Sequence, residues 1–198
     1  VSLPYQAEAP WTEILEWKTN VLINNDGSEQ RIRVRNAPRQ SFNASYPLGA
    51  EEIARSVNIV YSWLARRWAI PVWSEVQVVP SITAGTTVIN VDTTTVDIRA
   101  GSLVGLWSSN TTNEVIEVLS VTSSTVTLST QVQQTHTNAI VYPVRIGRVG
   151  NNGVGRTSNG YNSTLDVTYE VFDNKALTVS APTQYLNYDV YTEESLFD

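Results

Sequence analysis

The sequence contains no cysteine and only one histidine among its 198 residues. The lack of cysteine excludes disulfide bonds and metal sites built on thiolates. With a single imidazole, only oxygen ligands remain for a cation. We therefore expect neither a disulfide scaffold nor a zinc centre.

Long apolar runs are also lacking. No stretch approaches the roughly 20 residues that a membrane-spanning helix needs. No basic segment followed by an apolar run marks a signal peptide. We expect a soluble protein, made in a cytoplasm, with no membrane contact.

Charged residues are few, at 16%, and their signs are unevenly distributed. Residues 1–70 carry 8 basic and 7 acidic groups, whereas residues 71–198 carry 5 basic and 12 acidic groups. An acidic body repels nucleic acid, so nucleic-acid binding is not expected. The asymmetry suits head-to-tail contact between like subunits, and ordinary scatter explains it equally well.

The N-terminal segment predicts a strap followed by a β-hairpin. Apolar and polar residues alternate from Trp17 to Ile23 with the period of two that is typical of a strand. The Asn-Asp-Gly of residues 25–27 is a strong turn signal, because Asp and Gly tolerate positive φ. A second strand covers residues 30–35 and ends near Pro38, which cannot donate to a ladder.

A single amphipathic helix is predicted from residue 50 to residue 68. Apolar residues recur there in steps of three and four, which places them in one stripe. Glu51 and Glu52 suit the helix N-terminus, and Arg66 and Arg67 suit its last turn. Pro71 would then stop the helix.

Residues 72–148 change to short β-rich runs separated by Gly, Thr, Ser and Asn. Strands are predicted at residues 75–79, 86–91, 103–107, 114–121, 125–128 and 139–146. Several short strands at this spacing favour a small β-barrel or sandwich.

The C-terminal region begins with a segment rich in Gly and Asn, residues 147–160, which predicts a flexible loop or boundary. Strands are predicted at 165–172 and 176–179, before an extended aromatic tail. Three regions result: an N-terminal strap, hairpin and helix (1–71), a small β-barrel module (72–148), and the loop, strands and tail (149–198). The expected fold class is mainly β with a minor α+β character, the hairpin and helix packing on the barrel or sandwich.

Catalytic and metal sites have little support in the sequence. His136 lies in a polar stretch, and no Gly-x-Ser-x-Gly elbow supplies a nucleophile, so a structural or solvent-exposed role is expected. The aspartates at 92, 97, 166 and 173 lack the spacing of a calcium loop. Glu114 and Glu117 would point to opposite faces of a strand, although a glycosidase pair is set by space rather than by sequence. We predict no catalytic residue, no cofactor and no metal site.

Three arginines, Arg31, Arg33 and Arg35, alternate along the second hairpin strand. They either keep a solvated strand edge from aggregating or bind carboxylates of a neighbouring chain. We favour the second reading because the rest of the chain is acidic. The other candidate interface residues are one more arginine and four aromatic residues: Arg39, Trp17, Tyr185, Tyr188 and Tyr191.

Two parts of the chain resemble known proteins. Asp-Gly-Ser-Glu-Gln-Arg at 26–31, with Ala-Pro-Arg-Gln-Ser-Phe at 37–42, resembles the N-terminal hairpin of bacteriophage tail proteins, including distal-tail-like proteins. Residues 84–91, 99–104, 114–118 and 126–129 are similar to a small β-barrel module of virion and tail proteins. The resemblance supplies no active-site residues.

The resemblance implies a virion structural protein of the phage tail, at the tip, at the baseplate or as an adaptor. Such a protein would assemble without catalysis with copies of itself, as a hexameric or trimeric ring, and with other tail proteins. An alternative is a carbohydrate- or receptor-binding module of a virion, with exposed aromatic residues such as Trp107 and Tyr161 contacting a glycan. A glycan-degrading enzyme is the third hypothesis.

Overall fold

The computed structural model describes residues 1–23, 25, 27, 29–33, 38–159 and 162–172. These residues form twelve strands and one helix, which confirms the predicted mainly β fold class with a minor helical part. In chain order the elements are β1 (Glu8–Glu16), β2 (Thr19–Ile23), β3 (Glu29–Arg33), β4 (Arg39–Leu48), α1 (Ala50–Trp63), β5 (Trp68–Pro71), β6 (Gln77–Ile82), β7 (Val88–Asn90), β8 (Leu103–Trp107), β9 (Asn113–Val121), β10 (Thr125–Leu128), β11 (His136–Asn159) and β12 (Asn162–Val171).

Ten strands form one antiparallel sheet, and β2 and β3 pair only with each other. The main path across the sheet runs β1-β4-β12-β11-β8-β9-β10-β7, and β5 and β6 also pair with β11. Val144 of β11 pairs with Pro71 of β5 and with Leu103 of β8. Because a strand has two edges, β5 and β8 lie on opposite sides of β11. The long β11 therefore joins the strands from both halves of the chain.

The Gly- and Asn-rich segment was wrongly predicted as a loop, because β11 continues through it to residue 159. Pairing with β12 holds these residues extended. Two of its glycines are instead required by the local geometry of the strand. Gly153 has a φ of +72° within the register shift between Val149 and Val154. A Cβ at Gly147 would lie 2.1 Å from the carbonyl oxygen of Glu170, so a side chain does not fit there.

The strands predicted within residues 72–148 are present as β6 to β11, with some boundaries shifted. The closed barrel is not formed, because in the described chain β6 pairs only with β11 and β7 only with β10. Although β6 and β7 do not pair with each other, the side chain of Gln77 makes hydrogen bonds to the backbone just beyond the end of β7. Its Oε1 accepts a hydrogen bond from the Asp92 backbone N–H at 3.0 Å, and its Nε2 donates to the Asp92 carbonyl. The Gln77 side chain therefore links β6 to the residue Asp92, which follows β7, at one end of the gap between these two strands.

Buried apolar residues form two clusters of different composition. The aromatic core includes Phe42, Tyr46, Trp68 and Tyr169. The aliphatic core, between residues 82 and 141, contains only Ile, Leu, Val and Ala among its buried members. Strand β11 contributes residues to both cores. The division into regions at 71/72 and 148/149 stays a prediction.

An ion cluster fastens the β7–β8 connection to β11. Arg145 is 6% exposed, and its guanidinium donates to the Asp97 carboxylate at 2.5 Å. Arg99 also donates to this carboxylate, with Nε 2.6 Å from Oδ1. The backbone N–H of Asp97 donates to the Glu75 carboxylate at 2.7 Å. Because the buried arginine is paired with a carboxylate, the cluster avoids an uncompensated charge.

The helix begins as predicted but ends five residues early, at Trp63. Glu51 and Glu52 lie in its first turn, and a Glu52 carboxylate oxygen accepts from the Gly49 N–H at 3.0 Å. The early end has a long-range cause: Trp68 is 1% exposed in the aromatic core and pairs, in β5, with β11. Arg66 and Arg67 consequently follow the helix instead of closing it. Within the described residues, no helix has the length and apolar character needed to cross a membrane.

Three strands at the N-terminal side were not predicted: β1, β4 and β5. Pro38 was expected to end the hairpin, yet β4 begins directly after it. The burial of β4 alternates, with its even-numbered residues from 42 to 48 buried in the aromatic core. This period of two is visible in the sequence and identifies a strand with one face on the core.

Candidate assembly interface

The hairpin of β2 and β3 extends the ribbon that β1 and β4 form at the side of the sheet. The last pair of β1 and β4 is Glu16 with Arg39, and the hairpin pairs begin with Thr19 and Arg33. The predicted hairpin is therefore confirmed, although its first strand begins at Thr19 instead of Trp17. We call residues 17–33 the arm. Both of its outer strand edges lack a strand partner in the described chain.

The arm and the end of β1 expose a dense set of large apolar side chains. Of fifteen exposed large hydrophobic residues in the described chain, six lie between residues 14 and 23: Ile14, Leu15, Trp17, Val21, Leu22 and Ile23. Ile23 is 71% exposed. Because strand neighbours point to opposite sides, three consecutive apolar residues leave both faces of β2 apolar. Apolar exposure concentrated in this way marks a contact surface.

Strand β1 adds a free edge next to the arm. It pairs only with β4 in the described chain, and eight of its nine residues are exposed. A long exposed edge is a template for pairing with another chain. Glu13 is held by the Gln40 amide, whose Nε2 donates to Oε1 at 2.6 Å. This hydrogen bond links β1 to β4 and leaves the outer edge of β1 open in the described chain.

The arm and the β module carry opposite net charge. Residues 17–33 contain three basic and two acidic groups, whereas residues 72–148 contain five acidic and three basic groups. Such complementarity favours contact between the arm of one copy and the body of another. At physiological salt the Debye length is about 8 Å, so this attraction acts only when the two surfaces are close together.

The predicted arginine row is only partly within the described structure. Arg31 and Arg33 lie on β3, opposite Val21 and Thr19, and their side chains are outside the description. Arg35 lies outside the described residues. Arg39 is exposed, and it starts β4. Hence the row stays a prediction, while the structure places three of these four arginines on the ribbon.

The predicted aromatic contact residues are also only partly within the described structure. Trp17 is 57% exposed at the base of the arm. Tyr185, Tyr188 and Tyr191 lie outside the described residues, so their contact with a neighbour stays a prediction. The predicted strand at 176–179 also lies outside them.

His136 is the first residue of β11 and is fully buried, not a loop residue. Its Nδ1 is 3.2 Å from the Ser108 hydroxyl, and its Nε2 is 3.2 Å from a Glu114 carboxylate oxygen. The two Glu114 oxygens also accept the backbone N–H groups of Gln133 and Gln134. This arrangement has the members of a hydrolytic triad, which the sequence reasoning missed because they are distant along the chain.

The surroundings of Ser108 favour a structural role for that triad-like cluster. An oxyanion needs free backbone donors beside the nucleophile. The N–H groups of Ser108 and Ser109 instead both donate to the Thr112 carbonyl, at 3.0 and 3.2 Å. His136 therefore serves best as a clamp between the 108–112 turn, β9 and β11.

Trp107, the described residue that was predicted to contact a glycan, is poorly placed for that role. Trp107 is half-buried, its ring stands edge-on to Trp73, and its indole N–H donates to the Pro4 carbonyl at 3.0 Å. Its polar edge is therefore occupied and its ring only partly exposed, which disfavours Trp107 as a platform for a sugar. Tyr161 lies outside the described residues.

The described residues contain no group of three or more His, Cys, Asp or Glu side chains suited to a metal ion. Comparison with known proteins gives no guide to function, since no family model and no curated protein matches the sequence. The candidate site rests on the geometry of the arm.

Apart from Trp17, the apolar residues of the arm were available to sequence reasoning as a contact surface and were overlooked. Val21, Leu22 and Ile23 stand in a row shortly before the Asn-Asp-Gly turn signal of residues 25–27. A hairpin strand with apolar residues on both faces needs a cover on each side, and a two-stranded ribbon supplies neither. Ile14 and Leu15 give the same signal in β1.

Proposed function

We propose that this chain is a structural protein of a bacteriophage virion, a tail component without catalytic activity. It acts by binding further copies of itself and other tail proteins. The assignment to a phage tail rests on the resemblance of the hairpin and β-module sequences. The proposed mode of action rests on one observation, the arm that presents apolar side chains on both faces beside open strand edges.

The contact would use two kinds of interaction. Backbone groups at the outer edges of the arm and of β1 are suited to strand addition with a neighbour. The exposed apolar side chains would be buried in the same contact, and opposite charges on arm and module would orient it. Because arm and module are different surfaces, the contact is head-to-tail, and a closed ring is its usual outcome. A hexamer or trimer is the expected symmetry.

The energies favour a ring over a pair. Burying the remaining exposed part of each of the six apolar side chains contributes about 1 kcal/mol. Association costs about 4–15 kcal/mol in lost freedom, so one arm contact gives a weak dimer. Ring closure adds one contact without adding a subunit, which makes the closed assembly more stable than open chains.

Two matched variants test the proposal. Val21→Asp with Leu22→Asp places charges on the arm, and Tyr61→Asp with Leu64→Asp replaces two exposed apolar residues outside both the arm and the β module. We expect the arm variant to be a folded monomer and the Tyr61/Leu64 variant to assemble as the wild type does. Mass by light scattering coupled to size exclusion is the readout, with circular dichroism to verify folding. Equal assembly of both variants would show that the arm is not the contact.

A further inference from the structure

The helix leaves half of its apolar stripe uncovered. Ile53 is buried, and Val57 and Val60 pack against the aromatic core. Further along the same stripe, towards the C-terminal end of the helix, Tyr61 is 85% exposed and Leu64 is 44% exposed. Residues four apart lie on one side of a helix, so this open strip is continuous with the buried one.

A groove lies beside the first two turns of the helix, at the end away from Tyr61 and Leu64. It has a volume of about 450 Å³, which is the size of pockets that hold small ligands or a few side chains. Ala50, Ile53, Ala54 and Val57 line its helix side, and Arg156 and Ser163 line the side formed by β11 and β12. We call this the helix groove.

The charge around the groove selects an acidic occupant. Arg156 is exposed, and no ion pair joins it to another residue in the part of the chain that the structure describes. Among the described residues, Arg156 is also the one charged residue that lines the groove. An apolar groove that presents an arginine fits a segment that is both apolar and acidic.

One segment of this chain has that composition. Residues 185–198 contain four acidic residues and no basic residue. They also contain seven large apolar or aromatic residues: Tyr185, Leu186, Tyr188, Val190, Tyr191, Leu196 and Phe197. No other stretch of the sequence combines aromatic density with net negative charge to this degree.

The geometry allows this segment to reach the groove of its own chain. Strand β12 runs from Ser163, at the groove, to Val171, a separation of about 26 Å at 3.3 Å per residue. The thirteen steps from Phe172 to Tyr185 span up to about 45 Å when extended. We propose that residues 185–198 bind in the helix groove of the same chain, with their acids facing Arg156. This inference does not depend on the proposed assembly.

Disulfide trapping in the full-length protein tests the contact, since the chain has no native cysteine. Three variants combine Ala54→Cys with Tyr185→Cys, Tyr188→Cys or Tyr191→Cys. Their controls replace Ala54→Cys with Ser124→Cys, at an exposed turn of the β module. We expect at least one Ala54 pair to form an intramolecular disulfide at least ten times faster than its control.

Each other outcome overturns the proposal. A disulfide only between two copies would assign the groove to the tail of a neighbour. Equal rates for all pairs and controls would leave the groove to a different occupant.

A second measurement does not require cysteine. Ala54→Glu introduces a negative charge into the groove at an exposed helical position, so the fold should persist. We expect chymotrypsin to cleave the full-length variant at the tail tyrosines at least five times faster than the wild type, as followed by mass spectrometry. Ser124→Glu should cleave as the wild type does. Identical cleavage of all three proteins would contradict the proposal.

Discussion

Leu106 and Leu22 show how differently the β module and the arm use the same side chain. Leu106 is fully buried in the aliphatic core, in a strand whose neighbours cover it on both edges. Leu22 is 49% exposed in a two-stranded ribbon. In the module, apolar residues stabilise the fold of one chain. In the arm they are surplus to that fold, and this surplus is what makes the arm a candidate contact surface.

The largest expected effect on stability is the difference between replacing Leu106 and replacing Leu22 by alanine. Leu106→Ala should lower the free energy of unfolding by about 2–5 kcal/mol, because it opens a cavity in a packed core. Leu22→Ala should change it by about 0.5 kcal/mol or less, as is usual for surface positions. Urea denaturation under conditions where the protein is monomeric measures both. Similar losses for the two variants would show that the arm packs within its own chain.

The aromatic core predicts a loss of stability in alkali. Burial raises the pKa of Tyr46 from an ordinary value of 10.0 to about 12. The neutral phenol is thus favoured by folding, so its contribution is complete below pH 10 and is lost as the pH rises towards 12. The pKa shift corresponds to about 2–3 kcal/mol.

Unfolding free energies from pH 8 to pH 12 measure this loss. Burial also raises the pKa of Tyr169, whose hydroxyl lies 3.3 Å from that of Tyr46. Tyr46→Phe should therefore reduce the alkaline loss without abolishing it, at the cost of one hydrogen bond, about 1 kcal/mol, at pH 8. Tyr61→Phe changes a ring that is 85% exposed and is the matched control. An unchanged slope in Tyr46→Phe would exclude this tyrosine as the source.

A small effect on stability is also expected at the arginine row of Arg31, Arg33 and Arg35. Replacing Arg31, Arg33 and Arg35 by Glu should leave the unfolding free energy of the monomer within about 1 kcal/mol of the wild type. The same variant should fail to assemble, because its charge now matches that of the acidic body. Loss of the folded monomer would instead give these arginines a structural role.

The sequence allowed prediction of several elements that local patterns decide, although the alternating pattern of β4 was missed. Strands β8 and β10 have the predicted boundaries, and the hairpin and the helix start follow from turn and charge signals. It failed where distant residues decided. The helix ends early because Trp68 is buried against another part of the chain, and residues 147–159 are extended because β12 pairs with them. The His136 cluster depends on residues more than twenty positions away and has no local signature.

The most direct test of the central claim is the mass of the wild-type protein in solution, by light scattering over a wide range of concentration. The account predicts a discrete multiple of the 21.9 kDa chain that is stable at high concentration, and monomers for the arm variant. A wild-type protein that stays at 21.9 kDa at every concentration would contradict the claim that the arm joins copies of this chain.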